Sequence, residues 1–534
     1  MKKFMGTLFV AILFICAFVF AYRYYADKPS FNNAEKVNVY IDGRRDEEYE
    51  HILKNNKIYI SSDYLMQNEL LDFYWDDKYH KISIFNDFNL DVLHYNQKKV
   101  FQSNKPYERY EVFIVVEDKL YFNAEFIKEK YIKNLYLDKN NSIVVIEENA
   151  SLYKITKKTK LKSKASNQSD TVKDFETGES LFIYDYENDG WMLGRTEDST
   201  IGFIKLADIK PVSNVKYSKF MASNKKKQIF MAWDLVYKPS INFKPFSIPK
   251  TIDIVGPTWY KLDDSNECFK DFSNDNYIKY IKNSKRGIWC VFSNSFDPDL
   301  TSKMLNDGIK RSEIADSIIR ITEEKNYDAI NIDFENIYIK DKGVFSAFIK
   351  ELYCKARQNN IMMSVDITIL SDSENWSLCY DRKVLGKYSD YIILMAYDEN
   401  VSGSPGSVAS LPWVEYGVKN ILEYANSEKI ILAVPFYTRL WEKGLAENNK
   451  VKSTALRIQS AIKAIEELEM KLSYDEVTGQ NYGETIKDGI TYMIWNEDET
   501  SLRNRMEIAR KYNLAGCAVW AIGYGIDEMW NLVN

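Results

Sequence analysis

Between residues 225 and 534 the chain alternates short apolar runs with amphipathic stretches, and this alternation restricts its possible folds more than any other feature. The apolar runs are Ile229–Val236, Ile252–Val255, Gly287–Phe292, Ala329–Phe334, Met362–Ile367, Tyr391–Tyr397, Ile430–Phe436 and Cys517–Ile522. One intervening stretch places five apolar residues on a single helical face, namely Val344, Phe345, Phe348, Ile349 and Leu352. Residues 453–470 show the same helical pattern. Eight strand–helix units predict an α/β fold, a closed (β/α)₈ barrel.

The alternation is interrupted once, over residues 471–497, which read as a strand, turns rich in Gly and Asn, and a second strand. We expect a small α+β insertion here, between the seventh and eighth strands of the barrel. Because the active sites of such barrels lie at the carboxyl ends of the strands, catalytic residues are sought at those ends.

Residues 34–150 contain an internal repeat. Lys57–Ile60 matches Lys119–Phe122, and Tyr74–Asp76 matches Tyr136–Asp138 at the same offset. Each copy predicts a short strand, a short helix and a hairpin, which is a small α+β unit. The repeat resembles the N-terminal module of copper amine oxidases, although the histidines of this chain lack the spacing of metal ligands, and we expect no metal site.

Residues 153–213 read as short strands separated by polar turns, and predict a small all-β domain. Gly190-Trp191, followed by Ile201–Ile204, resembles a bacterial SH3-like domain. The resemblance implies attachment to the cell wall. The alternative is a spacer that binds nothing.

The chain begins with Met1-Lys2-Lys3, an unbroken apolar run from Phe4 to Ala21, and Arg23. This pattern is typical of a signal peptide or an uncleaved signal anchor, which we place at residues 1–33. We therefore expect an exported protein of the cell envelope, either secreted or held at the membrane by this segment.

Composition excludes several kinds of chemistry. The only histidines are His51, His80 and His94, so the barrel region has none for a Ser-His-Asp triad, a Cys-His pair or a histidine-ligated zinc ion. No CxxC motif occurs, and we expect neither a metal nor another cofactor. The net charge of −6, without a basic block interleaved with aromatic residues, argues against nucleic acid as a partner.

Carboxylates cluster where the fourth apolar run ends, in the sequence from Asp328 to Glu335. Side chains alternate along a strand, so Asn331, Asp333 and Glu335 share one face. Repulsion between two neighbouring carboxylates raises the pKa of one of them, as a general acid at neutral pH requires. The alternative interpretation is a buried polar layer without a catalytic role.

This run resembles the DxxDxDxE signature of glycoside hydrolase family 18, which contains chitinases and peptidoglycan N-acetylglucosaminidases. Asn331 stands where most chitinases carry another Asp. Three further segments resemble motifs of the same family in the same order, namely Met395-Ala396-Tyr397-Asp398 (MxYD), Pro435–Trp441 (PFYxRxW) and Trp520 on the eighth strand.

The resemblance implies Glu335 as the catalytic acid and base, assisted by Asp333 and Tyr397, which hold the 2-acetamido group of the substrate. That group then acts as the nucleophile, the substrate-assisted exception to catalysis by two carboxylates. The resemblance also implies a set of substrate-binding residues: Asp328, Asn331, Met395, Asp398, Tyr437, Arg439 and Trp520.

Two connecting segments, residues 294–301 and 404–415, resemble loops of the spore-cortex-lytic branch of the family. We therefore favour peptidoglycan as the polysaccharide substrate, spore cortex included, and place chitin second. Two other hypotheses are a non-catalytic barrel that binds cell wall or chitin, and a cell-wall scaffold with a vestigial barrel. The presence of Glu335 argues against the first, and the intact strand-six and strand-eight motifs argue against the second.

Overall fold

The computed structural model describes residues 35–86, 88–102, 105–140, 142–147, 150–212, 228–238, 247–444, 451–530 and 532. The predicted leader, residues 1–33, lies outside these ranges. Within them, no helix is both long and apolar enough to cross a membrane. The chain divides into two compact units, one comprising Met1–Asn86 and Asp91–Ala222, the other Asp87–Leu90 and Ser223–Asn534.

The second unit is a closed barrel of eight parallel strands. They are β1 (Ile229–Asp234), β2 (Ile254–Pro257), β3 (Gly287–Ser293), β4 (Ala329–Asp333), β5 (Met362–Thr368), β6 (Tyr391–Met395), β7 (Ile430–Pro435) and β8 (Gly516–Trp520). Each strand pairs with the next, and β8 pairs with β1. The predicted (β/α)₈ barrel is confirmed. Several predicted runs extend past the observed strands because apolar residues continue into the loops that follow.

Helices surround the strands and bury one apolar face each. They are Asp275–Asn283, Pro298–Leu305, Gly308–Glu324, Lys342–Gln358, Arg382–Lys387, Leu411–Ile421, Glu499–Lys511 and Asp527–Trp530, with short turns at Ile339–Asp341, Glu374–Leu378 and Ser427–Lys429. Phe345 and Phe348 of one helix stack on Phe334, which follows β4. Phe334 thus points outward, so its neighbours in sequence, Asp333 and Glu335, point to the other side of the strand.

A second sheet is inserted after β7, and it is larger than the sequence predicted. Five antiparallel strands form it: Tyr437–Gly444, Val451–Arg457, Leu472–Asp475, Gln480–Lys487 and Ile490–Asn496. The insertion therefore begins at Tyr437, and the expected start at residue 471 is wrong. The helical stretch expected at 453–470 is a strand followed by the helix Ile458–Glu467, which belongs to the insertion. The error arose because Tyr437–Trp441 was interpreted only as part of a strand-seven motif.

A short hairpin, Tyr260–Leu262 with Phe269–Asp271, follows β2 and extends the barrel sheet beside β3. It was not predicted, because its strands are only three residues long. Its importance for the site is that it carries Lys261 towards the carboxyl end of β4, where that cation lowers the pKa of Asp333.

Over residues 35–147, the described part of the first unit contains many short strands and three short helices. The strands are Glu35–Lys36, Asn38–Ile41, Arg44–Arg45, Ile52–Lys54, Lys57–Ser61, Asp72–Asp76, Lys81–Asn86, Asn89–Tyr95, Lys99–Gln102, Lys105–Glu108, Phe113–Val116, Lys119–Asn123, Leu135–Asp138 and Ile143–Ile146. The helices are Ser62–Gln67, Arg109–Val112 and Ala124–Lys130, with a turn at Asp77–Tyr79. The repeat is visible, since Lys57–Ser61 pairs antiparallel with Lys119–Asn123 and each leads into a helix.

The end residue of each of these two strands caps the helix that follows. The Ser61 hydroxyl accepts a hydrogen bond from the Tyr64 amide, and the Asn123 side chain accepts from the amides of Glu125 and Phe126. Ser and Asn are strongly preferred at this position because their side-chain oxygens satisfy free amides of the first turn. In both copies of the repeat, the last residue of the strand therefore also caps the helix that follows.

The rest of the first unit is a seven-stranded antiparallel sheet. Its strands are Ser151–Ile155, Thr159–Lys162, Thr171–Phe175, Ser180–Asn188, Trp191–Arg195, Ile201–Lys205 and Ile209–Pro211, with a turn at Leu206–Asp208. A compact apolar core contains Leu161, Phe175, Leu181 and Ile183. The region is all-β, and its relation to SH3-like domains stays a prediction.

One buried ion pair joins the inserted sheet to the barrel. Arg505, on the helix Glu499–Lys511, donates from Nη2 to Glu497 Oε1 at 2.8 Å and from Nε to the Ala409 carbonyl at 3.0 Å. Gln480 and Ser501 donate to the same carboxylate. Both charges are almost fully withdrawn from water, so each depends on the other for compensation.

We predict that Arg505→Met lowers the free energy of unfolding by roughly 3–5 kcal/mol, because Glu497 is left buried without its cation. Urea unfolding measures the loss. The double variant Arg505→Met/Glu497→Leu should recover much of it, since no buried charge remains. Equal stability of the single and double variants would contradict this account.

Candidate active site

Glu335 lies two residues beyond the end of β4, and its backbone is held by a side chain from the neighbouring loop. Asn294, directly after β3, accepts a hydrogen bond from the Glu335 amide at 3.0 Å and donates to the Glu335 carbonyl at 2.7 Å. It also donates to Thr301 Oγ1 at 2.9 Å. Asn294 is fully buried, so it clamps the segment that carries Glu335.

Asp333 and Glu335 point to the same side of the chain and share a hydrogen bond. Burial raises the pKa of Glu335 well above its usual value, and the charges of Asp333, Asp366 and Asp398 add to the effect. Burial also raises the pKa of Asp333, to about 6, while the hydrogen bond from Glu335 and the charge of Lys261 lower it. The expected repulsion between the two carboxyls is present, but burial is the larger cause.

Beneath this pair, a chain of buried polar side chains crosses the barrel interior. Trp233 Nε1, on β1, donates to Asn331 Oδ1 at 3.0 Å, and Asn331 Nδ2 donates to Asp366 Oδ1, on β5, at 2.7 Å. Each of the three residues is at most 1% exposed. Asn331 therefore acts as a connector between strands and does not reach the surface of the cleft.

Tyr397, two residues after β6, belongs to an aromatic wall. Its ring centroid lies 6.4 Å from that of Trp520 and 6.3 Å from that of Tyr437. Trp520, the last residue of β8, lies 5.7 Å from Trp233. Burial and the nearby charge of Glu335 raise the pKa of Tyr397 well above its usual value, so its hydroxyl keeps its proton and is available as a hydrogen-bond donor.

Asp398 is anchored by the inserted sheet. Tyr437 Oη donates to Asp398 Oδ1 at 2.7 Å, and Arg439 Nη2 lies 3.4 Å from the same oxygen. Arg439 Nη1 also donates to Ser453 Oγ at 3.1 Å. Met395 ends β6 on the strand face that it shares with Ile393 and Tyr397, and it is 5% exposed.

Asp328 does not join the other predicted residues. It precedes β4 at the amino end of the strand, where it is exposed and its Oδ2 accepts a hydrogen bond from the Ile288 amide at 2.8 Å. The cleft lies at the opposite end of the barrel. Asp328 therefore lies outside the predicted substrate site. Its hydrogen bond instead connects β4 to β3.

Sequence reasoning missed three residues that shape the site, namely Asn294, Asp366 and Tyr380. Tyr380 is buried and donates to the Phe334 carbonyl at 2.9 Å, next to the Glu335 segment. The sequence held a signal for Asp366, because it is a lone carboxylate within the apolar run Met362–Ile367. Asn294 and Tyr380 gave no such signal, since each acts through contacts that only the folded loops create.

An exposed pair of rings lies on the loops that follow β3 and β5. Phe296, after β3, is 54% exposed, Trp376, after β5, is 41% exposed, and their centroids lie 5.9 Å apart. Asn336, next to Glu335, donates to the Phe296 carbonyl at 2.9 Å. The pair is therefore tied to the segment that carries Glu335.

Comparison with known families decides the classification. The model of the family described as Glycosyl hydrolases family 18 matches residues 194–525, more than half of the chain and the whole of β1 to β8. The chain belongs to glycoside hydrolase family 18. It is a glycoside hydrolase, and its substrate class is polysaccharide.

Several curated relatives of this family 18 chain come from bacilli. It is 27% identical over 273 residues to the uncharacterized glycosylase YvbX of Bacillus subtilis, covering 48% of this chain and 77% of that protein. It is 22% identical over 251 residues to the cortical fragment-lytic enzyme of Bacillus anthracis, covering 46% of this chain and 57% of that enzyme. The chain thus matches little more than half the length of the second relative.

Solved structures share the barrel fold. The spore cortex-lytic enzyme SleL of Bacillus cereus superposes with a TM-score of 0.53 at 16% identity, over 60% of this chain and 77% of that one. A chitinase of Chromobacterium violaceum superposes with a TM-score of 0.51 at 19% identity, over 57% of this chain and 98% of that one. At these identities the likeness concerns the fold alone.

The raised pKa of Glu335 predicts how stability depends on pH. A carboxyl whose pKa is raised in the folded state stabilises the fold below its unfolded pKa, near 4.5, and this stability is lost as the pH rises through the folded value. Glu335→Gln has no such group to ionise. We predict that the variant gains Tm relative to wild type progressively from pH 4.5 to pH 8.

Thermal unfolding at several pH values measures this difference. Asp372→Asn, on an exposed position of the loop after β5, is the matched control and should show a constant difference. A Glu335→Gln difference that stays flat with pH would contradict the buried, protonated state of Glu335.

Proposed function

We propose that the barrel hydrolyses β-1,4 bonds that follow N-acetylglucosamine in peptidoglycan, with retention of configuration and with the acetamide of the substrate as nucleophile. The observation that carries the proposal is the hydrogen-bonded pair of Glu335, whose pKa is raised well above its usual value, and Asp333, whose pKa is about 6, with Tyr397 close to both. The other described carboxyls near the cleft are engaged, Asp366 by Asn331 and Asp398 by the inserted sheet.

In the first step, Glu335 gives its proton to the glycosidic oxygen as the bond between that oxygen and the anomeric carbon breaks. The acetamide carbonyl oxygen of the same sugar forms a new bond to the anomeric carbon, which gives an oxazolinium ion. Asp333, charged at neutral pH, accepts a hydrogen bond from the acetamide N–H and balances the positive charge. Tyr397 donates to the acetamide and orients it.

In the second step, water attacks the anomeric carbon and Glu335, now a carboxylate, takes the proton from that water. The oxazolinium ring opens, the acetamide is restored, and Glu335 is ready for another cycle. Trp520 offers an apolar ring face beneath the sugar, next to Tyr397 and Trp233. Two inversions at the same carbon explain the retained configuration.

Peptidoglycan is favoured over chitin by the relatives. The cortical fragment-lytic enzyme of Bacillus anthracis is named for the spore cortex, and the SleL enzyme of Bacillus cereus is described as spore cortex-lytic. The loops at residues 294–301 and 404–415 support the same choice. We also propose that residues 1–33 direct export or anchor the protein, and that the all-β region of the first unit holds it on the cell wall.

We predict that removal of the proposed acid, Glu335, abolishes most of the hydrolysis. Glu335→Gln should lower hydrolysis by roughly 10²–10⁴-fold, because it removes the proton donor and the base of the second step. Purified peptidoglycan, spore cortex and chitin are digested in parallel, and products are identified by mass spectrometry. Asp372→Asn is the control and keeps the wild-type rate.

A Glu335→Gln variant with half of the wild-type rate would overturn the assignment of the acid. Wild-type protein that binds these glycans but cleaves none of them would favour the alternative, a non-catalytic barrel that binds cell wall or chitin.

We also predict that hydrolysis requires the proposed nucleophile, the acetamide group of the substrate. If the acetamide attacks, glycan strands treated with a deacetylase become resistant at each glucosamine, because the nucleophile is gone and an ammonium stands near the developing positive charge. A two-carboxylate retaining enzyme would keep its own nucleophile. Equal turnover at glucosamine and N-acetylglucosamine would exclude substrate assistance. A thiazoline analogue of the cyclised intermediate should inhibit competitively.

A further inference from the structure

The carboxyl of Asp366 is buried in the middle of β5 with one oxygen unused. Oδ1 accepts the hydrogen bond from Asn331 at 2.7 Å, whereas Oδ2 has no hydrogen-bond partner among the described residues. Asp366 is 1% exposed. A buried polar atom without a partner is costly, and native proteins retain few of them without a functional reason.

The strand register places this carboxyl beside Asp333. β4 and β5 pair Asn331 with Ser364 and Ile332 with Val365, so the next residues along the two strands are Asp333 and Asp366. Neighbouring strands are about 4.8 Å apart. Both side chains face the barrel interior, because Asp333 alternates with Ile332 and Asp366 contacts Asn331. Burial raises the pKa of Asp366 well above its usual value, and the charge of Asp333 raises it further.

The proposed reaction requires Asp333 to keep its negative charge after Glu335 has lost its proton. While Glu335 is protonated, its hydrogen bond supports the charge on Asp333. Once Glu335 has given its proton to the leaving oxygen, that bond is lost and two carboxylates stand side by side. Asp333 must nevertheless stay ionised and oriented, because it faces the acetamide N–H and the oxazolinium charge.

We propose that Asp366 is a positioning residue for hydrolysis, which stays protonated throughout the cycle and donates from Oδ2 to the Asp333 carboxylate while Glu335 is ionised. The inference rests on the proposed function. Asn331 occupies Oδ1 and so leaves the proton to Oδ2.

The proton count balances. Before reaction, Glu335 and Asp366 each carry a proton and Asp333 carries the negative charge. The Glu335 proton passes to the leaving oxygen and is replaced from water in the second step. The Asp366 proton never leaves. The other titratable groups around this cluster are Tyr380, Tyr397, Asp398 on the side of Glu335, and Lys261 on the side of Asp333.

Two variants distinguish the hydrogen-bond donor of Asp366 from the volume of its side chain. Asp366→Asn keeps a neutral group with a donor, whereas Asp366→Leu has a similar size and no donor. We expect Asp366→Leu to lower kcat roughly 10–100-fold with KM unchanged, because the lost hydrogen bond involves a charged partner in a buried site and does not touch substrate. As the conservative variant, Asp366→Asn should lose no more than about threefold.

The pH dependence of kcat also tests the proposal, because a purely structural role of Asp366 would leave it unchanged. In the wild type, rising pH ionises Glu335, which removes the acid, and also Asp366, which removes the donor and adds a charge beside Asp333, so both groups lower kcat. Asp366→Asn cannot ionise, and its activity should extend to higher pH. The profile is measured on N-acetylated glycan, with Asp372→Asn as the control.

A folded Asp366→Leu variant with the wild-type kcat would overturn the proposal, and so would an Asp366→Asn variant with the wild-type pH profile. If Asp366→Leu fails to fold, the profile of Asp366→Asn still decides. Infrared spectroscopy in the Glu335→Gln background provides a test without activity: a protonated-carboxyl band at pH 7 should disappear on adding Asp366→Asn. No change in that band refutes the proposal, whereas an inert wild type that shows the change refutes only the proposed function.

Discussion

The site depends on one constraint, which is that carboxyl groups are buried away from water at one end of a closed barrel. β4 and the two residues after it place Asn331, Asp333 and Glu335 on the interior side, because the intervening residues, such as Phe334, pack outside against the helix Lys342–Gln358. The same packing that stabilises the barrel therefore forces these polar groups inward. Once there, burial is the main cause of the raised pKa values of Asp333 and Glu335, and repulsion from neighbouring carboxylates adds to it for Glu335.

The positions of these groups are fixed by parts of the chain that are remote in sequence. Asn294 clamps the backbone of Glu335 from the loop after β3, and the inserted sheet supplies Tyr437 and Arg439 to hold Asp398. The insertion is itself secured to the barrel by the buried ion pair between Arg505 and Glu497. Acid strength thus comes from the barrel, whereas the geometry of the cleft comes from its loops.

This division explains how far the sequence could be interpreted. The barrel and the common inward side of Asp333 and Glu335 were predictable, because strand alternation is a local property. Asp328 was placed in the site wrongly, since a motif gives spacing but not the end of the strand at which each residue lies. The inserted sheet was expected too late in the chain because Tyr437–Trp441 reads equally well as the end of β7. Asn294 is functional only through a contact that folding creates.

Two carboxyls of one strand reach different protonation states because their surroundings differ. Lys261 and the hydrogen bond from Glu335 favour the charged form of Asp333, whose pKa lies at about 6, whereas three neighbouring carboxyls oppose the charged form of Glu335. Near neutral pH the proton therefore resides on Glu335 and the charge on Asp333. The mechanism we propose needs this distribution, with an acid beside the leaving oxygen and a negative charge facing the oxazolinium ion. The asymmetry around the pair, more than the pair itself, therefore supports the catalytic roles that we propose.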